Sequence, residues 1–149
     1  MTKISIITIN LNNREGLART MQSVIGQTCF KYVDYIIVDG GSTDGSLDVI
    51  RENEKHLKHW VSEKDGGIYD AMNKGVGMAA SEYCQFLNSG DTLHSSYVLE
   101  RILPQLDADI VYGNPLVDGM AKQYPEVLPA DYFLQDSLPH PASFIARLC

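Results

Sequence analysis

A strongly apolar segment runs directly into a polar turn at Ile36-Ile37-Val38-Asp39-Gly40-Gly41-Ser42-Thr43-Asp44-Gly45-Ser46. Continuous apolar residues over 35–38 are typical of a strand that is buried on both faces, as in a parallel sheet. The turn is rich in residues that cap helices, and apolar side chains at Leu47, Ile50 and Leu57 then suggest a helix. The segment therefore predicts a strand, a turn and a helix in that order.

The same alternation continues in both directions along the chain. The β-branched run at residues 4–9 predicts a strand, and Asn12 with Glu15 forms a capping-box pattern before the next helix. Further strands are predicted at residues 60–62, 83–87 and 108–112, and further helices at 68–79 and 99–103. We expect an α/β fold with three layers (α/β/α) and a mostly parallel central sheet.

The last quarter of the chain is less regular. Asp118-Gly119 between two apolar segments predicts a hairpin turn. Prolines at positions 125, 129, 139 and 141 then predict loop, with a short helix near residues 130–135.

Composition narrows the class of protein. The chain has 149 residues, 44% of them hydrophobic, which is enough for one globular core. Its 12 basic and 19 acidic residues give a net charge of −7, so nucleic acid is not an expected partner. The apolar runs are shorter than the roughly 20 residues of a membrane span, and the first residues lack a signal-peptide pattern. We expect a cytoplasmic protein whose three cysteines, Cys29, Cys84 and Cys149, are reduced thiols.

Polar loops follow the predicted strands at residues 10–13, 39–41, 65–67 and 88–91. The carboxyl ends of parallel strands meet at one edge of a sheet, where such folds bind ligands. The sequence has neither the glycine-rich dinucleotide fingerprint nor a Walker phosphate loop. Asp39 can accept a hydrogen bond from a base imide or a ribose hydroxyl, or it can form an Asx turn. Asp91 can hold a hard cation with substrate phosphates, or it can cap a helix starting near Ser95.

Several blocks of the chain resemble the nucleotide-binding half of the family 2 glycosyltransferases. The first blocks are Ile4-Ser5-Ile6-Ile7-Thr8-Ile9-Asn10-Leu11-Asn12, Gln22-Ser23-Val24-Ile25-Gly26-Gln27-Thr28 and the segment 36–46 quoted above. Two later blocks are similar to the colanic-acid-type branch, whose bacterial enzymes build surface polysaccharide: Glu63-Lys64-Asp65-Gly66-Gly67-Ile68-Tyr69-Asp70-Ala71-Met72-Asn73-Lys74-Gly75 and Phe86-Leu87-Asn88-Ser89-Gly90-Asp91. The likeness covers residues 4–113 and, more weakly, Pro139-His140-Pro141-Ala142-Ser143-Phe144.

The resemblance implies a GT-A fold and a glycosyltransferase that moves a sugar from a nucleotide-diphosphate donor, a UDP-sugar, to a saccharide or lipid-linked acceptor with inversion. It implies one domain over residues 1–149, with a donor half at about 1–113 and the start of a C-terminally incomplete acceptor half at 114–149. Carried over by position, the nucleotide-binding residues are Thr8, Asn10, Asn12, Asp39, Gly40, Asp65, Gly66, Asn73, Lys74 and Asn88. For Lys74 the alternative is an exposed lysine on a solvated helix face.

The family's metal motif is reduced in this chain. Where the family usually has Asp-x-Asp, the sequence reads Asn88-Ser89-Gly90-Asp91, so Asp91 is the candidate ligand for Mg²⁺ or Mn²⁺. His140 is a weaker candidate, the alternative being a structural histidine in a proline-flanked loop. The resemblance places the general base downstream of residue 149, since Asp131 and Asp136 come too early to match it.

Two further function classes remain open beside the transferase. One is a noncatalytic nucleotide-sugar-binding fragment without a general base, and the other is a plain α/β interaction domain without nucleotide affinity. The expected partners are a nucleotide-sugar donor, a saccharide or lipid-linked acceptor and, in a homo-oligomer, further copies of the chain. A lipid-linked acceptor would bring the protein to the inner face of the membrane as a peripheral protein.

Overall fold

The computed structural model describes residues 3–129, 132 and 138–147, and within them a six-stranded sheet has the order β3-β2-β1-β4-β8-β5. Its strands are β1 (Ile4–Asn10), β2 (Val33–Asp39), β3 (His59–Ser62), β4 (Tyr83–Phe86), β5 (Ile110–Tyr112) and β8 (Ser143–Ala146). A separate hairpin consists of β6 (Leu116–Val117) and β7 (Met120–Ala121). The first four strands pair in parallel, whereas β8 is antiparallel to β4 and to β5. The predicted mostly parallel sheet is confirmed.

The helices of the described part are α1 (Arg14–Ile25), α2 (Ser46–Glu52), α3 (Ile68–Met78) and α4 (Val98–Ile102). Short 3₁₀ turns lie at Phe30–Tyr32, Glu54–His56, Leu103–Gln105 and His140–Ala142. In the ranges that the structure describes, no helix combines the length and the apolar character needed to cross a bilayer. The helix predicted near residues 130–135 lies, apart from Tyr132, outside the described residues.

Helices cover both faces of the sheet, as the three-layer prediction requires. Successive side chains of a strand point to opposite faces, so each buried strand contributes to two cores. One core contains Ile4, Ile6, Tyr35 and Ile37 of the strands with Leu17, Met21, Val49, Ile50 and Leu99 of α1, α2 and α4. The other core contains Ile7, Ile36 and Val38 with Ala71 of α3.

The strand order reverses beside β1. The chain runs from β1 through β2 to β3, and α3 then returns it to β4 on the opposite side of β1. At such a reversal neighbouring loops leave toward opposite faces, and a crevice opens at the carboxyl ends of the strands. Residues 10–13 after β1 and 88–91 after β4 border this crevice.

The prediction of loop throughout the last quarter is wrong at β8. Ser143–Ala146 inserts between β4 and β5, and Phe144 is 1% exposed. Four residues directly after Pro139 and Pro141 carry too little periodicity to be recognised, and the strand exists because distant strands supply its hydrogen bonds. The hairpin turn at Asp118-Gly119 is confirmed, since both residues have positive φ angles of 49° and 78°.

The helix α3 approaches β1 most closely at Gly75. A Cβ placed on Gly75 would lie 2.4 Å from Cγ2 of Ile7, which is fully buried. Gly75→Ala should therefore push α3 away from the sheet and lower the free energy of unfolding by about 1–3 kcal/mol, as in other overpacked cores. Urea denaturation at pH 7 measures the change.

The matched control is Gly77→Ala in the same helix. A Cβ on Gly77 would meet no described atom within 4 Å. Because alanine favours a helix over glycine by about 1 kcal/mol, this variant should be more stable than the parent chain. Equal stability of the two variants would contradict the close approach of α3 to β1.

Candidate functional site

The carboxylate of Asp39 lies at the centre of the hydrogen-bond network in the crevice. Asp39 ends β2 and is fully buried. Its Oδ1 accepts from Asn10 Nδ2 at 2.7 Å and from the Ser42 hydroxyl at 2.6 Å. Its Oδ2 accepts from the Ser62 hydroxyl at 2.6 Å and from the backbone N–H groups of Gly41 and Ser42 at 3.2 and 2.9 Å. The Asx turn considered for Asp39 is therefore present.

Burial and hydrogen bonding act in opposite directions on the pKa of Asp39. Desolvation is the largest effect and raises it, but the bonds from Ser42, Ser62 and Asn10 together outweigh it and hold the pKa below its ordinary value. The carboxylate is ionised at neutral pH and its acceptor positions are filled by protein donors. A ligand can contact Asp39 directly only by replacing one of these bonds.

Asn10 and Asn88 each carry a buried side-chain oxygen without a hydrogen-bond partner among the described residues. The orientation of the Asn10 amide follows from chemistry, because its Nδ2 donates to a carboxylate that can only accept. Both residues line a cavity of about 190 Å³, together with Leu11, Asp65 and Ile68. A buried acceptor without a donor costs free energy. The two oxygens are themselves buried, so a ligand in this cavity that brings N–H or O–H donors reaches them only when the side chains turn toward it.

Asn12 and Asp44 join the loop after β1 to the loop after β2. The side-chain oxygen of Asn12 accepts from the backbone N–H of Thr43 at 2.8 Å. Asp44 accepts from the backbone N–H of Arg14 at 2.8 Å and from the Ser46 hydroxyl at 2.6 Å. The bond from Ser46 is the main reason that the pKa of Asp44 lies below its usual value. Asn12 is thus placed as an exposed brace between the two loops.

Gly40 allows the loop after β3 to approach the loop after β2. A Cβ on Gly40 would lie 3.2 Å from Oδ2 of Asp65, whose other oxygen accepts from the Gly67 N–H at 3.0 Å. Gly66 lies between Asp65 and Gly67 in the chain and is exposed. The structure therefore brings Gly40, Asp65 and Gly66 to the part of the crevice that contains Asn10.

Lys74 is held by two carboxylates. Its Nζ lies 3.1 Å from Glu63 Oε1 and 3.4 Å from Asp70 Oδ2. The hydrogen bond with Glu63 is the main cause of its raised pKa, and the Gly66 N–H is the main cause of the lowered pKa of Asp70. A diphosphate would have to compete with these carboxylates for Lys74. Asn73, the preceding residue of α3, is exposed.

Thr8, like Asp39, is fully buried. It lies in β1, where its hydroxyl donates to the Leu87 carbonyl at 2.7 Å and lies 3.0 Å from the Tyr35 hydroxyl. Burial raises the pKa of Tyr35. Thr8 thus connects β1 to the segment after β4, and the small cavity is lined by the next residues, Ile9, Asn10 and Leu11.

The loop at residues 88–91 is held by α1, a contact that the sequence analysis missed. The Thr20 hydroxyl lies 2.7 Å from the Asp91 carbonyl and accepts from the Gly90 N–H at 3.0 Å. Ser23 of α1 and Gln27, just after the end of α1, also bond to residues 93–99. The available signal was the spacing, because polar side chains at positions 20 and 23 share one side of a helix.

Asp91 is an exposed carboxylate at the end of this loop. Desolvation raises its pKa. Its alternative role as a helix cap is wrong, since α4 begins at Val98 and its N-cap residue, Tyr97, makes no side-chain capping bond. Asp91 lines a second cavity of about 500 Å³ with Thr92. A carboxylate that lines an open cavity can serve as one ligand of a hard cation.

His140 does not join Asp91. It is exposed, its ring centroid lies 6.5 Å from that of Phe86, and it is not among the residues that line the cavity of Asp91. Within residues 3–129, 132 and 138–147, no group of three or more His, Cys, Asp or Glu side chains could hold a metal ion. A single carboxylate suits Mg²⁺ or Mn²⁺ only when substrate phosphates and water supply the other ligands.

Comparison with known proteins shows the family to which the chain belongs. The model for glycosyl transferase family 2 matches residues 5–133. The chain belongs to glycosyl transferase family 2. This finding confirms the family that the sequence blocks indicated, and the matched region contains the four polar loops and the Asp39 network.

Two curated glycosyltransferases similar to this chain are longer than it is. An uncharacterized glycosyltransferase of Mycobacterium tuberculosis (strain ATCC 25618 / H37Rv) is 37% identical over 103 residues, which cover 69% of this chain and 39% of that protein. A PGL/p-HBAD biosynthesis glycosyltransferase of Mycobacterium bovis (strain BCG / Pasteur 1173P2) is 31% identical over 151 residues, which cover 96% of this chain and 59% of that protein. The chain thus spans 39% and 59% of the lengths of these relatives.

Solved structures show the GT-A fold of this family 2 chain. S. aureus TarS 1–349 in complex with UDP-GlcNAc superposes with a TM-score of 0.80 at 19% identity, covering 97% of this chain and 45% of that one. A mannosyltransferase from Pyrobaculum calidifontis in complex with GDP-Man and Mn²⁺ has a TM-score of 0.65 at 19% identity, covering 74% of this chain and 34% of that one. The predicted fold class is confirmed.

Proposed function

We propose that this family 2 protein transfers a sugar from a UDP-sugar to a saccharide or lipid-linked acceptor, with inversion, in bacterial surface-polysaccharide biosynthesis of the colanic-acid type. The observation that carries the proposal is the convergence of Asn10 and Asn88 on one small cavity, with Asp91 three residues beyond Asn88. The two solved structures that share this fold are complexes with UDP-GlcNAc and with GDP-Man, which supports a nucleotide-sugar at this crevice.

The base is recognised through Asn10. The N3–H of uracil is a hydrogen-bond donor, and the side-chain oxygen of Asn10 is an acceptor without a partner among the described residues. Asp39 holds the Asn10 amide in this orientation at 2.7 Å, so Asp39 acts on the base through Asn10 or by exchanging one of its own bonds. Leu11 and Ile68 supply apolar contact for the flat ring, since both line the cavity and are more than half exposed.

The rest of the donor follows the edge of the sheet from the small cavity toward Asp91. Asn88 accepts from a ribose hydroxyl, Asn12 and Gly40 keep the neighbouring loops in place, and Asp65 with Gly66 lies beside the nucleoside. Asn73 and Lys74 on α3 are on the diphosphate side, where Lys74 exchanges a carboxylate for a phosphate oxygen. The cavity of about 500 Å³ beside Asp91 has the size of a small-molecule site and receives the sugar.

A divalent cation, Mg²⁺ or Mn²⁺, would be held by Asp91 together with the two phosphates. When bound, it would neutralise negative charge that develops on the departing diphosphate, an effect worth several kcal/mol at such sites. His140 remains a weak second candidate ligand, because it is exposed but lies outside the cavity of Asp91.

A noncatalytic nucleotide-sugar-binding fragment is the second candidate function. The observation that favours it is the lining of the cavity of about 500 Å³, in which Asp91 is the sole carboxylate among the described residues. Transfer with inversion needs a general base for the acceptor hydroxyl, and we place that base in the acceptor half, beyond residue 149.

We further propose that the chain is one domain, with a donor half at 1–113 and an acceptor half from 114. We propose that the protein is located in the cytoplasm or peripherally at the inner membrane face, and that it forms homo-oligomers.

Calorimetric titration of the chain with UDP and GDP, each with and without Mn²⁺, tests the donor site. We expect UDP to bind more tightly than GDP and Mn²⁺ to strengthen its binding. Asn88→Ala should weaken UDP binding by about tenfold, because a side-chain hydrogen bond to the ligand contributes about 1 kcal/mol or more. Asn53→Ala, at the carboxyl end of α2, is the matched control and should leave UDP affinity unchanged.

Each outcome separates one candidate from another. Equal affinity for UDP and GDP would contradict the uracil assignment, and absence of nucleotide binding under all four conditions would contradict the donor site. Transfer of sugar from a bound UDP-sugar to acceptor saccharides by a protein that includes the acceptor half would support the enzyme, whereas binding without turnover in that longer protein would support the noncatalytic candidate.

A further inference from the structure

The Thr20 hydroxyl touches the candidate metal loop at two successive residues. Thr20 belongs to α1 and is fully buried. Its Oγ1 lies 2.7 Å from the Asp91 carbonyl oxygen, 3.0 Å from the Gly16 carbonyl oxygen and 3.4 Å from the Asn88 carbonyl oxygen, and it accepts from the Gly90 N–H at 3.0 Å. A hydroxyl has one proton to donate. The shortest contact assigns that proton to Asp91.

The bond network holds the peptide that leads into Asp91 from both sides. Gly90 has a φ of +103°, a conformation that favours glycine, so the turn depends on a specific backbone geometry. The N–H of Gly90 donates to the Thr20 hydroxyl, and the carbonyl of Asp91 accepts from the same hydroxyl. Asn13, the N-cap of α1, adds a bond from its Nδ2 to the Ser89 carbonyl at 3.2 Å. The backbone from Ser89 to Asp91 is therefore held by α1 and its N-cap.

Ser23 makes the same kind of contact one helical turn further along α1, but at a different place in the segment. Its hydroxyl accepts from the Leu93 N–H at 3.2 Å and donates to the Thr20 carbonyl at 2.8 Å. It does not contact residues 88–91 among its described bonds. Thr20 and Ser23 thus form a natural pair in which one hydroxyl braces the Asp91 loop and the other braces the residues after it.

We propose that Thr20 is a positioning residue for the metal-diphosphate site, acting by holding the backbone of Gly90 and Asp91 so that the Asp91 carboxylate meets the cation. The proposal rests on the proposed function, since it needs the donor site at the crevice. Residues that orient a metal ligand in this way typically change metal affinity by about 10- to 100-fold when they are removed.

Thr20→Val tests the proposal, because valine keeps the shape of threonine and removes the hydroxyl. We expect UDP affinity without Mn²⁺ to stay within about twofold of the parent chain, while the strengthening of UDP binding by Mn²⁺ falls by about tenfold or more. Thr20→Ser should restore the Mn²⁺ effect, since it returns the hydroxyl. Ser23→Ala is the control: it removes a bracing hydroxyl from the same helix and should leave the Mn²⁺ effect unchanged. Binding is measured by calorimetry, and Mn²⁺ occupancy by electron paramagnetic resonance.

Several results would overturn the positioning role. The first is a Mn²⁺ effect on UDP binding in Thr20→Val that is as large as in the parent chain. The others are a loss of this effect in Ser23→Ala, or in Thr20→Ser, that is as large as the loss in Thr20→Val. If Thr20→Val is too unstable to titrate, Thr20→Ala takes its place: a reduced Mn²⁺ effect in Thr20→Ala that Thr20→Ser does not share supports the role, and a full Mn²⁺ effect in Thr20→Ala overturns it. A parent chain that binds no UDP, or binds it without any Mn²⁺ effect, would instead contradict the proposed donor site and with it this role.

Discussion

Replacing Asp39 with alanine is expected to lower the free energy of unfolding by about 3–5 kcal/mol and to abolish measurable UDP binding. The carboxylate is fully buried and accepts five hydrogen bonds. Alanine would leave the donors of Asn10, Ser42 and Ser62 without their acceptor, and donors buried without a partner are costly. The Asn10 amide would lose the bond that orients it toward the base. Urea denaturation and calorimetric titration with UDP measure the two effects.

Asp44→Ala is the matched control for this prediction. Asp44 lies in the same loop and also accepts bonds from backbone and hydroxyl donors, but it is exposed, so water can replace it. We expect a much smaller loss of stability than for Asp39→Ala, because water can replace an exposed acceptor. A loss for Asp39→Ala no larger than that for Asp44→Ala would contradict the buried network.

The stability that Asp39 contributes should depend on pH in a defined direction. Its pKa is lower in the folded chain than the ordinary value of about 3.9. The contribution is therefore complete above about pH 3.9 and is lost as the pH falls through the folded-state pKa. The difference in stability between the parent chain and Asp39→Ala should narrow below about pH 3.9, whereas a constant difference would contradict the lowered pKa.

Asp91→Asn is expected to lower the affinity for UDP in the presence of Mn²⁺ by about 10- to 100-fold, so that Mn²⁺ no longer strengthens UDP binding. The variant should not destabilise the fold. Among the described residues Asp91 is the candidate carboxylate next to the cavity of about 500 Å³, and a neutral amide is a much weaker ligand for a hard cation. Desolvation raises the pKa of Asp91, so its ionised form opposes folding above the unfolded-state pKa. The variant should therefore be at least as stable as the parent at pH 7, and this difference should vanish below about pH 3.9.

Asp107→Asn serves as the control, because the same chemical change is made at an exposed aspartate that does not line that cavity. It should leave both UDP affinity and the Mn²⁺ effect unchanged. A Mn²⁺ effect that survives in Asp91→Asn would show that another group holds the cation, and His140 would be the next residue to replace.

Most of the sheet could be predicted from local patterns. The runs at residues 4–9 and 35–38 are buried on both faces and therefore apolar without interruption, so each predicts its strand without knowledge of its neighbours. The strand β8 could not be predicted in this way, because its four residues follow two prolines and its pairing partners are distant in the chain. Burial of Phe144 and pairing with β4 and β5 outweigh the weak local preference.

The candidate site also has residues that the sequence could place and contacts that it could not show. Asn10, Asp39, Asp65 and Asn88 stand at strand ends, so the sequence could place them at one sheet edge. It could not show that Lys74 is paired with Glu63 and Asp70, because the loop after β3 brings Glu63 beside α3 only in the folded chain. Nor could it show that Thr20 braces Asp91, since the two residues are 71 positions apart.

The amino-acid order alone was sufficient for the alternation of strands and helices, the position of the four polar loops and membership of the family, because each depends on periodicity or on local residue type. The tertiary structure was needed to learn that Asp39 is saturated by protein donors, that the side-chain oxygens of Asn10 and Asn88 lack partners in the described part of the chain and that α1 holds the Asp91 loop. These features are set by which hydrogen-bond donors reach which acceptors, and that depends on contacts between distant segments that no local pattern records.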